Sequence, residues 1–460
     1  MNERMERYFE ALRGKRVAVL GLGVSNRPLA RLLLAHGAQV LGCDMAERAQ
    51  LEPEVLELER RGMALKLGPD YLRDIEADVA FRTPGLHPDR PELQALRRAG
   101  TVMTSEMEAF FEVCPCPILS VTGSDGKTTT TTLIAEILRK AGKTVWVGGN
   151  IGAPLLPQAG DMAPGHVAVV ELSSFQLLDM RRSAHVAVVT NLAPNHLDVH
   201  RDMAEYVAAK ENAYFHQGPG DTAVFNADNA ITHSFCPKAP GRVLEFSRKT
   251  RPAQGVFLEG DVVYRAGPTP APILRRQEIV LPGLHNVENY MAAICAVEGL
   301  ASDDDIRAVA GSFTGVEHRI ELVRVKDGVR FYNDSIASSP SRTIAGLRSF
   351  DEKLILIAGG YDKHIPYDAL GPEIVAHVKT LVLTGATAPK IRQAVEAAPG
   401  YRPGAPEMVD VADFYDAIRT AAGLARPGDV VMLSPASASF DRFRNFMVRG
   451  NAFKKTVMEL

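Results

Sequence analysis

The segment Val121-Thr122-Gly123-Ser124-Asp125-Gly126-Lys127-Thr128 sets a lysine and a hydroxyl residue behind a glycine-rich turn, between an apolar run and a helical pattern. A loop at such a junction aims backbone N–H groups and the positive end of a helix at phosphate oxygens. Lys127 would neutralise the β- and γ-phosphates of a nucleotide, and the Thr128 hydroxyl would ligate Mg²⁺. The usual P-loop pattern has glycine two residues ahead of Gly123; Val121 stands there, so the loop is a variant. Gly123, Ser124, Asp125, Gly126, Lys127 and Thr128 are therefore candidate nucleotide-binding residues. A ligand-free strand-to-helix turn would not account for the Gly-Lys-Thr triplet.

A second candidate runs from Lys15 to Asp44: a strand, the turn Gly21-Leu22-Gly23-Val24-Ser25-Asn26, a helix, and Asp44 ending the next strand. That order is a Rossmann-like βαβ unit, whose terminal carboxylate can accept hydrogen bonds from a ribose. Asn26 replaces the third glycine of the dinucleotide fingerprint, which argues against NAD. A tight turn in a wound sheet and a nucleotide-like ligand both stay open. Further on, Glu171-Leu172-Ser173-Ser174-Phe175-Gln176 and Asn191-Leu192-Ala193-Pro194-Asn195-His196-Leu197-Asp198 each follow an apolar strand. From such a strand end a carboxylate or imidazole can reach a metal beside the loop. Taken singly, His196 reads as a structural histidine and Lys210 as a solvated helix lysine.

These residues need rigid elements beneath them. The runs 16–20, 118–121, 167–170, 186–190, 354–358, 381–384 and 430–433 are short, β-branched and mostly followed by Gly, Ser or Asn. Such runs are parallel strands buried on both faces. Helical patterns such as 128–140 and 413–424 lie between them, so the class is α/β throughout. Breaks near 100–108 and 311–315 divide the 460 residues into about three domains, expected at 1–107, 108–314 and 315–460. The third opens with a strand-like 320–325 and an Asp327-Gly328 hairpin turn. Residues 237–282 predict a small antiparallel appendage.

A balance of 52 Lys+Arg against 55 Asp+Glu, net −3, excludes a general nucleic-acid binder but leaves room for small anions. The five cysteines are sparse, with one close pair, Cys114-Pro-Cys116, and fit reduced thiols in a cytoplasm. No signal core and no apolar stretch near the roughly 18–20 residues of a membrane span is present, so a cytoplasmic, non-membrane chain is expected.

Taken in order, 122–128, Gly148-Gly149-Asn150-Ile151-Gly152, 171–176, 195–198 and Ala208-Ala209-Lys210 resemble the central domain of the Mur ligases. The resemblance continues through Gly283-Leu284-His285-Asn286-Val287-Glu288-Asn289, Phe313-Thr314-Gly315-Val316-Glu317-His318-Arg319 and Tyr332-Asn333-Asp334-Ser335. These are ATP-dependent amide ligases of peptidoglycan precursor synthesis. The 21–25 loop and Leu433-Ser434-Pro435-Ala436-Ser437-Ala438-Ser439-Phe440-Asp441, running on to Phe446 and Arg449-Gly450-Asn451, resemble the member that joins D-glutamate to UDP-N-acetylmuramoyl-L-alanine. No Asp-Asn-Pro-Arg segment of the diaminopimelate- or lysine-adding members is present.

The resemblance implies an N-terminal Rossmann-like domain for the UDP end, a central P-loop ATPase-type domain, and a C-terminal Rossmann-like domain that binds the amino acid and closes over ATP. It implies ATP and two Mg²⁺ ions, one held by Thr128 and Glu171, the other by His196, bridged by a carbamylated Lys210. Lys127, His196 and Lys210 would be catalytic. Asn286 and Asn289 would lie near adenine, and Arg319 and Asp334 would reach ATP. Val24, Ser25 and Asp44 would face uridine; Asn150 and Ser173 would contact the muramoyl part. Ser338 and Lys363 would hold the D-glutamate α-carboxylate, and Ser439 and the Phe446 backbone its side-chain carboxylate. Ser439 would otherwise read as the N-cap of a helix starting there. A monomer with small-molecule partners, and neither nucleic acid nor membrane, is expected.

The sequence departs from the family pattern at Ile336, where many members have lysine, at Asn195, where others carry aspartate, and at Met45 and Ala46 beside Asp44. A sibling such as folylpolyglutamate synthase, or a precursor sensor without turnover, is the alternative. A sensor has no need of Lys127, Glu171, His196 and Lys210 together.

Overall fold

A computed structural model describes residues 2–194, 199–363 and 365–460. The chain divides into two compact units, Met1–Glu278 with Glu288–Val309, and Ile279–Val287 with Ala310–Leu460. The first unit thus holds residues 1–107 together with most of 108–314.

Its first sheet contains β1 (Arg16–Leu20), β2 (Gln39–Asp44), β3 (Ala64–Leu67), β4 (Val79–Arg82) and β5 (Val102–Thr104), all parallel, in the order 3-2-1-4-5. The order reverses between β1 and β4, and ligands of such sheets bind beyond the strand carboxyl ends at that point. There the two turns nearly touch. Gly21 has φ +89°, and a Cβ on it would stand 2.7 Å from the Thr83 methyl, so only glycine fits.

The second sheet has nine strands: β6 (Ile118–Thr122), β7 (Val145–Gly149), β8 (Val167–Glu171), β9 (Val186–Val189), β10 (Thr222–Asn226), β11 (Arg242–Ser247), β12 (Gly255–Glu259), β13 (Val262–Arg265) and β14 (Ala271–Arg275). Their order is 14-13-12-11-10-9-6-8-7. β6, flanked by β8 and β9, is fully buried, as its apolar run requires. The expected appendage at 237–282 is instead a continuation of this sheet. β11 pairs in parallel with both β10 and β12, and only β12–β13 and β13–β14 are antiparallel.

The second unit carries β15 (Glu321–Lys326), β16 (Val329–Asn333), β17 (Leu354–Ala358), β18 (Val378–Leu383), β19 (Glu407–Asp410) and β20 (Val430–Leu433), in the order 15-16-20-17-18-19. β15 and β16 form the hairpin expected at Asp327-Gly328, and the remaining pairs are parallel. Strand periodicity builds two cores here. Leu354, Leu356 and Ala358 pack into one, Ile355 and Ile357 into the other, so the strand has no polar face. Among the described residues no helix is long and apolar enough to cross a membrane.

Within the first unit one apolar cluster joins Phe9 and Phe110 to Leu155, Leu156 and Leu177 across the two sheets' helical layers. Two polar groups are set into this region. Arg82 is 1% exposed; its guanidinium donates to the carbonyls of Thr83, Pro84 and Leu86, to that of Phe175 at 3.2 Å, and to the Asp179 carboxylate. Asp179 also takes a bond of 2.9 Å from Arg97. Glu106, on the helix Glu106–Val113, accepts the Leu156 N–H at 3.2 Å, and burial pushes its carboxyl up to about 7.

Arg82→Met would leave several acceptors without their donor while Asp179 keeps Arg97, so a loss of about 2–4 kcal/mol is expected in urea unfolding. The native state holds the Glu106 proton more tightly than the unfolded chain. Stability present below about pH 4.5 is therefore lost as pH rises through about 7. Glu106→Gln should remove that loss, raising stability at pH 8 by about 1–3 kcal/mol with little change at pH 4; melting curves across pH report it.

Candidate functional site

The loop after β6 is shaped from the end of β9. Ser124 N–H donates to the Asn191 carbonyl at 2.8 Å and Asp125 N–H to the Asn191 side chain at 3.0 Å. Thr190 Oγ1 donates to the Asp125 carbonyl at 2.6 Å. Gly123, at φ +146°, lets Thr190 Oγ1 occupy the place a Cβ would need. The loop then enters the helix Lys127–Lys140, capped by Gly126. Its first N–H groups therefore stand at the carboxyl edge of the sheet, as phosphate binding requires. Lys127 Nζ donates to the carbonyls of Gly123 and Ser124 at 3.0 and 2.8 Å.

The helix Met203–Glu211, capped by Asp202, places Tyr206 and Lys210 on one face, four residues apart. The Tyr206 hydroxyl bonds to Ser124 Oγ at 2.9 Å. Lys210 is 1% exposed and donates to Thr122 Oγ1 at 2.8 Å and to the Gly123 carbonyl at 3.2 Å. Its ammonium is held well below the ordinary lysine range, by burial first and then by Lys127, with Glu171 opposing. The default expectation of a solvated lysine is thus overturned.

Glu171 ends β8 with its carboxylate buried. Oε1 accepts from Asn150 Nδ2 at 2.8 Å; Oε2 is buried with no hydrogen-bond partner. A lone anionic oxygen beside a phosphate-binding loop, with the Thr128 hydroxyl on the loop itself, is a hard-oxygen donor set that fits Mg²⁺. His196, and Asn195 before it, lie outside the described residues. Ser173 spends its hydroxyl on a capping box with Gln176 at the helix Ser174–Leu177. Asn289 approaches the loop's helix, with Thr130 Oγ1 donating to its Oδ1 at 3.3 Å.

At the first sheet's switch point, Val24 is exposed and Ser25 precedes the helix Asn26–Ala35 without a side-chain capping bond. Asn26, in the position of the missing glycine, is buried and donates to the Gly21 carbonyl at 2.8 Å, bracing the turn. Asp44 accepts the Leu22 N–H at 2.7 Å and the Ala46 N–H at 3.0 Å, so its carboxylate organises the turns on either side.

In the second unit the candidates collect at the carboxyl ends of β16, β20 and β17, three neighbouring strands. Asp334, just past β16, accepts from Ser434 Oγ at 2.7 Å, and burial pushes its carboxyl up to about 7 against the pull of Ser434 and Arg319. Ser338 donates to the Ile336 carbonyl at 3.1 Å, where Arg342 also donates at 3.2 Å; a cation thus stands beside this turn although position 336 is apolar. Lys363 is exposed. Ser439 is buried but caps no helix: the next one, Phe446–Glu459, is capped by Asn445. Asn286 donates to the Pro282 carbonyl at 2.6 Å.

Two arginines to which the sequence assigned no role, Arg449 and Arg82, knit these edges. Buried Arg449 donates to Ser335 Oγ and O at 3.0 and 2.9 Å and to the Ser437 and Ala438 carbonyls at 3.0 Å, joining the turns after β16 and β20. Arg82 joins the turn after β4 to the segment just beyond Ser173. The only advance sign of Arg82 was a cation ending an apolar strand before Thr83-Pro84-Gly85.

The family model "Mur ligase middle domain" matches residues 121–297, and "Mur ligase, glutamate ligase domain" matches 318–437. A UDP-N-acetylmuramoylalanine–D-glutamate ligase of Acetivibrio thermocellus is 50% identical, with 99% of each chain covered. One of the same name from Clostridium novyi is 47% identical over 100% of both. Among solved structures, a UDP-N-acetylmuramate-alanine ligase of Thermotoga maritima shares the fold at TM-score 0.57 and 16% identity, covering 97% of this chain and 99% of that one. A UDP-N-acetylmuramoyl-L-alanyl-D-glutamate–2,6-diaminopimelate ligase does so at 0.58 and 19%, covering 97% and 93%. With full-length relatives at this identity and two matching domain models, the chain belongs to the Mur ligase family.

Proposed function

We propose that this chain is the ATP-dependent, ADP-forming ligase that joins D-glutamate to UDP-N-acetylmuramoyl-L-alanine. The observation that carries the chemistry is the convergence of Lys127, Lys210 and the partnerless oxygen of Glu171 around one phosphate-binding loop. The choice of substrates rests on the names of the full-length relatives.

A carboxylate resists amide formation because its leaving group would be oxide. Attack of its oxygen on the ATP γ-phosphorus, with ADP leaving, gives an acyl phosphate whose leaving group is phosphate. The D-glutamate amine then attacks the acyl carbon, the tetrahedral adduct expels phosphate, and the ammonium proton passes to solvent or phosphate. Negative charge builds on phosphoryl and carboxylate oxygens, so fixed cations and N–H donors do most of the work. Lys127 and the loop N–H groups hold the triphosphate. Thr128 and Glu171 would hold one Mg²⁺ and His196 a second, which would supply further charge neutralisation. Lys210, desolvated and beside Lys127, is shifted towards the neutral amine that takes up CO₂ with loss of a proton to solvent, and the resulting carbamate would be an anionic oxygen donor suited to a hard cation. Asn150, bonded to Glu171, links the muramoyl end to this cluster.

We assign Val24, Ser25 and Asp44 to the uridine end, with Ser173 beside Asn150 on the muramoyl part. Asn286 and Asn289 serve adenine, and Arg319 and Asp334 the ATP phosphates. Ser338, Lys363, Ser439 and the Phe446 N–H take the two D-glutamate carboxylates. The last is a first-turn helix N–H, a group with no intrahelical partner and so suited to an anion.

Phosphate release from ATP, assayed with UDP-N-acetylmuramoyl-L-alanine, should depend on D-glutamate and be near background with L-glutamate, lysine or no amino acid. Turnover with lysine instead would transfer the chain to a sibling activity. Lys127→Ala should lower kcat about 100-fold or more, with little change in melting temperature, because the lysine head group is part-exposed at the loop and donates to its carbonyls rather than packing into the apolar core.

A further inference from the structure

In the first unit, away from the loop after β6, three different ligating side chains meet. His233 ends the helix Ala230–His233, Cys236 opens the next short helical turn, and Glu245 lies mid-way along β11. His233 Nδ1 is 2.6 Å from Glu245 Oε1, and Cys236 Sγ donates to that same oxygen at 3.3 Å. All three ligand atoms lie within 4.8 Å of one another.

From these positions we infer a transition-metal site for Zn²⁺, bound by His233, Cys236 and Glu245 with water in the fourth place. Zn²⁺ takes nitrogen, sulfur and carboxylate oxygen at about 2.0–2.3 Å in a tetrahedron, which sets ligand atoms roughly 3.4–3.6 Å apart. The Cys–Glu spacing nearly meets that value, opening the His–Glu contact by about 0.8 Å meets it for a second pair, and the third pair, His–Cys, lies within 4.8 Å. On binding, the thiol proton leaves to solvent. An imidazole, a thiolate and a carboxylate then balance the ion's two charges.

The site is held from several sides. Glu245 is fixed by strand pairing with Phe225 on one side and Gly255 on the other. Phe235, between the two short helices, is buried against Tyr214 and Phe225. The helix of His233 is capped by Asn229. Among the described residues, no lysine or arginine head group pairs with Glu245, whose ion-pair partner is His233. The rim is open: the His233 side chain is 59% exposed, leaving a path for the ion and a face for water. Cys236 is also the one cysteine of the five that is not buried.

Cobalt(II) titrated into the full chain, with Mg²⁺ present, tests the site through its absorption spectrum. A thiolate ligand adds a near-ultraviolet charge-transfer band, and four-coordination gives intense visible bands. A cobalt ion held only by oxygen ligands near the loop after β6 gives neither. The native chain should show both at about one equivalent, with Zn²⁺ erasing them by displacement. His233→Ala should weaken binding about 10-fold or more, and Cys236→Ala should abolish the near-ultraviolet band. Cys114→Ala/Cys116→Ala should keep it. Phosphate release by His233→Ala should equal that of the native chain. Absence of the near-ultraviolet band, or its survival in Cys236→Ala, overturns the proposal.

Discussion

Two lysine side chains, Lys127 and Lys210, donate to a single carbonyl, that of Gly123. Two full positive charges cannot share so small a space inside a protein, and the geometry decides which one yields. Lys127 sits part-exposed at the mouth of the loop, where a triphosphate can answer its charge. Lys210 lies beneath, walled in by the Tyr206 ring and the Thr122 hydroxyl, and is the one driven towards the neutral amine. The buried anion of Glu171 on the neighbouring strand completes this arrangement. Much of the first unit serves to hold these three groups in place: β6 and β8 buried on both faces, the capped helix of Lys210, and the β9 end that shapes the loop.

The second unit solves a related problem with a different device. Its substrate-facing candidates lie on irregular turns at strand ends, where backbone carbonyls outnumber available donors. Arg449, buried and fanned across Ser335, Ser437 and Ala438, supplies donors to two such turns at once. Burial is tolerated because each N–H it uses has an acceptor. Asp334 nearby is instead raised to about 7, with the Ser434 hydroxyl as its closest donor.

What could be read from the sequence follows local chemistry. Runs of β-branched residues marked β1, β6, β8, β9, β17, β18 and β20, because a strand buried on both faces leaves an uninterrupted apolar signature. The loop after β6 was legible because its function and its fold make the same demand, a glycine turn before a helix. Properties that depend on distant partners were not legible. The downward shift of Lys210 depends on burial against segments distant in sequence, its bond to Thr122 spanning 88 positions. Arg82 and Arg449 look like surface arginines until tertiary contacts enclose them. The 237–282 segment read as an appendage because its Pro and Gly content suggested hairpins, whereas parallel pairing of β11 and β12 to the main sheet leaves no local mark. The alternative reading of Ser439 as a cap fails for the opposite reason: a serine before a polar helix-like stretch mimics a start signal that Asn445 in fact provides.

Arg82 also bears on how the first unit can be inherited. Its guanidinium belongs by sequence to the turn after β4, yet two of its acceptors, the Phe175 carbonyl and the Asp179 carboxylate, lie directly beyond the strand that carries Glu171. The first sheet and the sheet that carries the loop after β6 are therefore not interchangeable parts. A chimera that grafts another first sheet onto this second one must carry matched residues at 82 and 179. Without them, it would join two well-folded halves across a seam of orphaned charge.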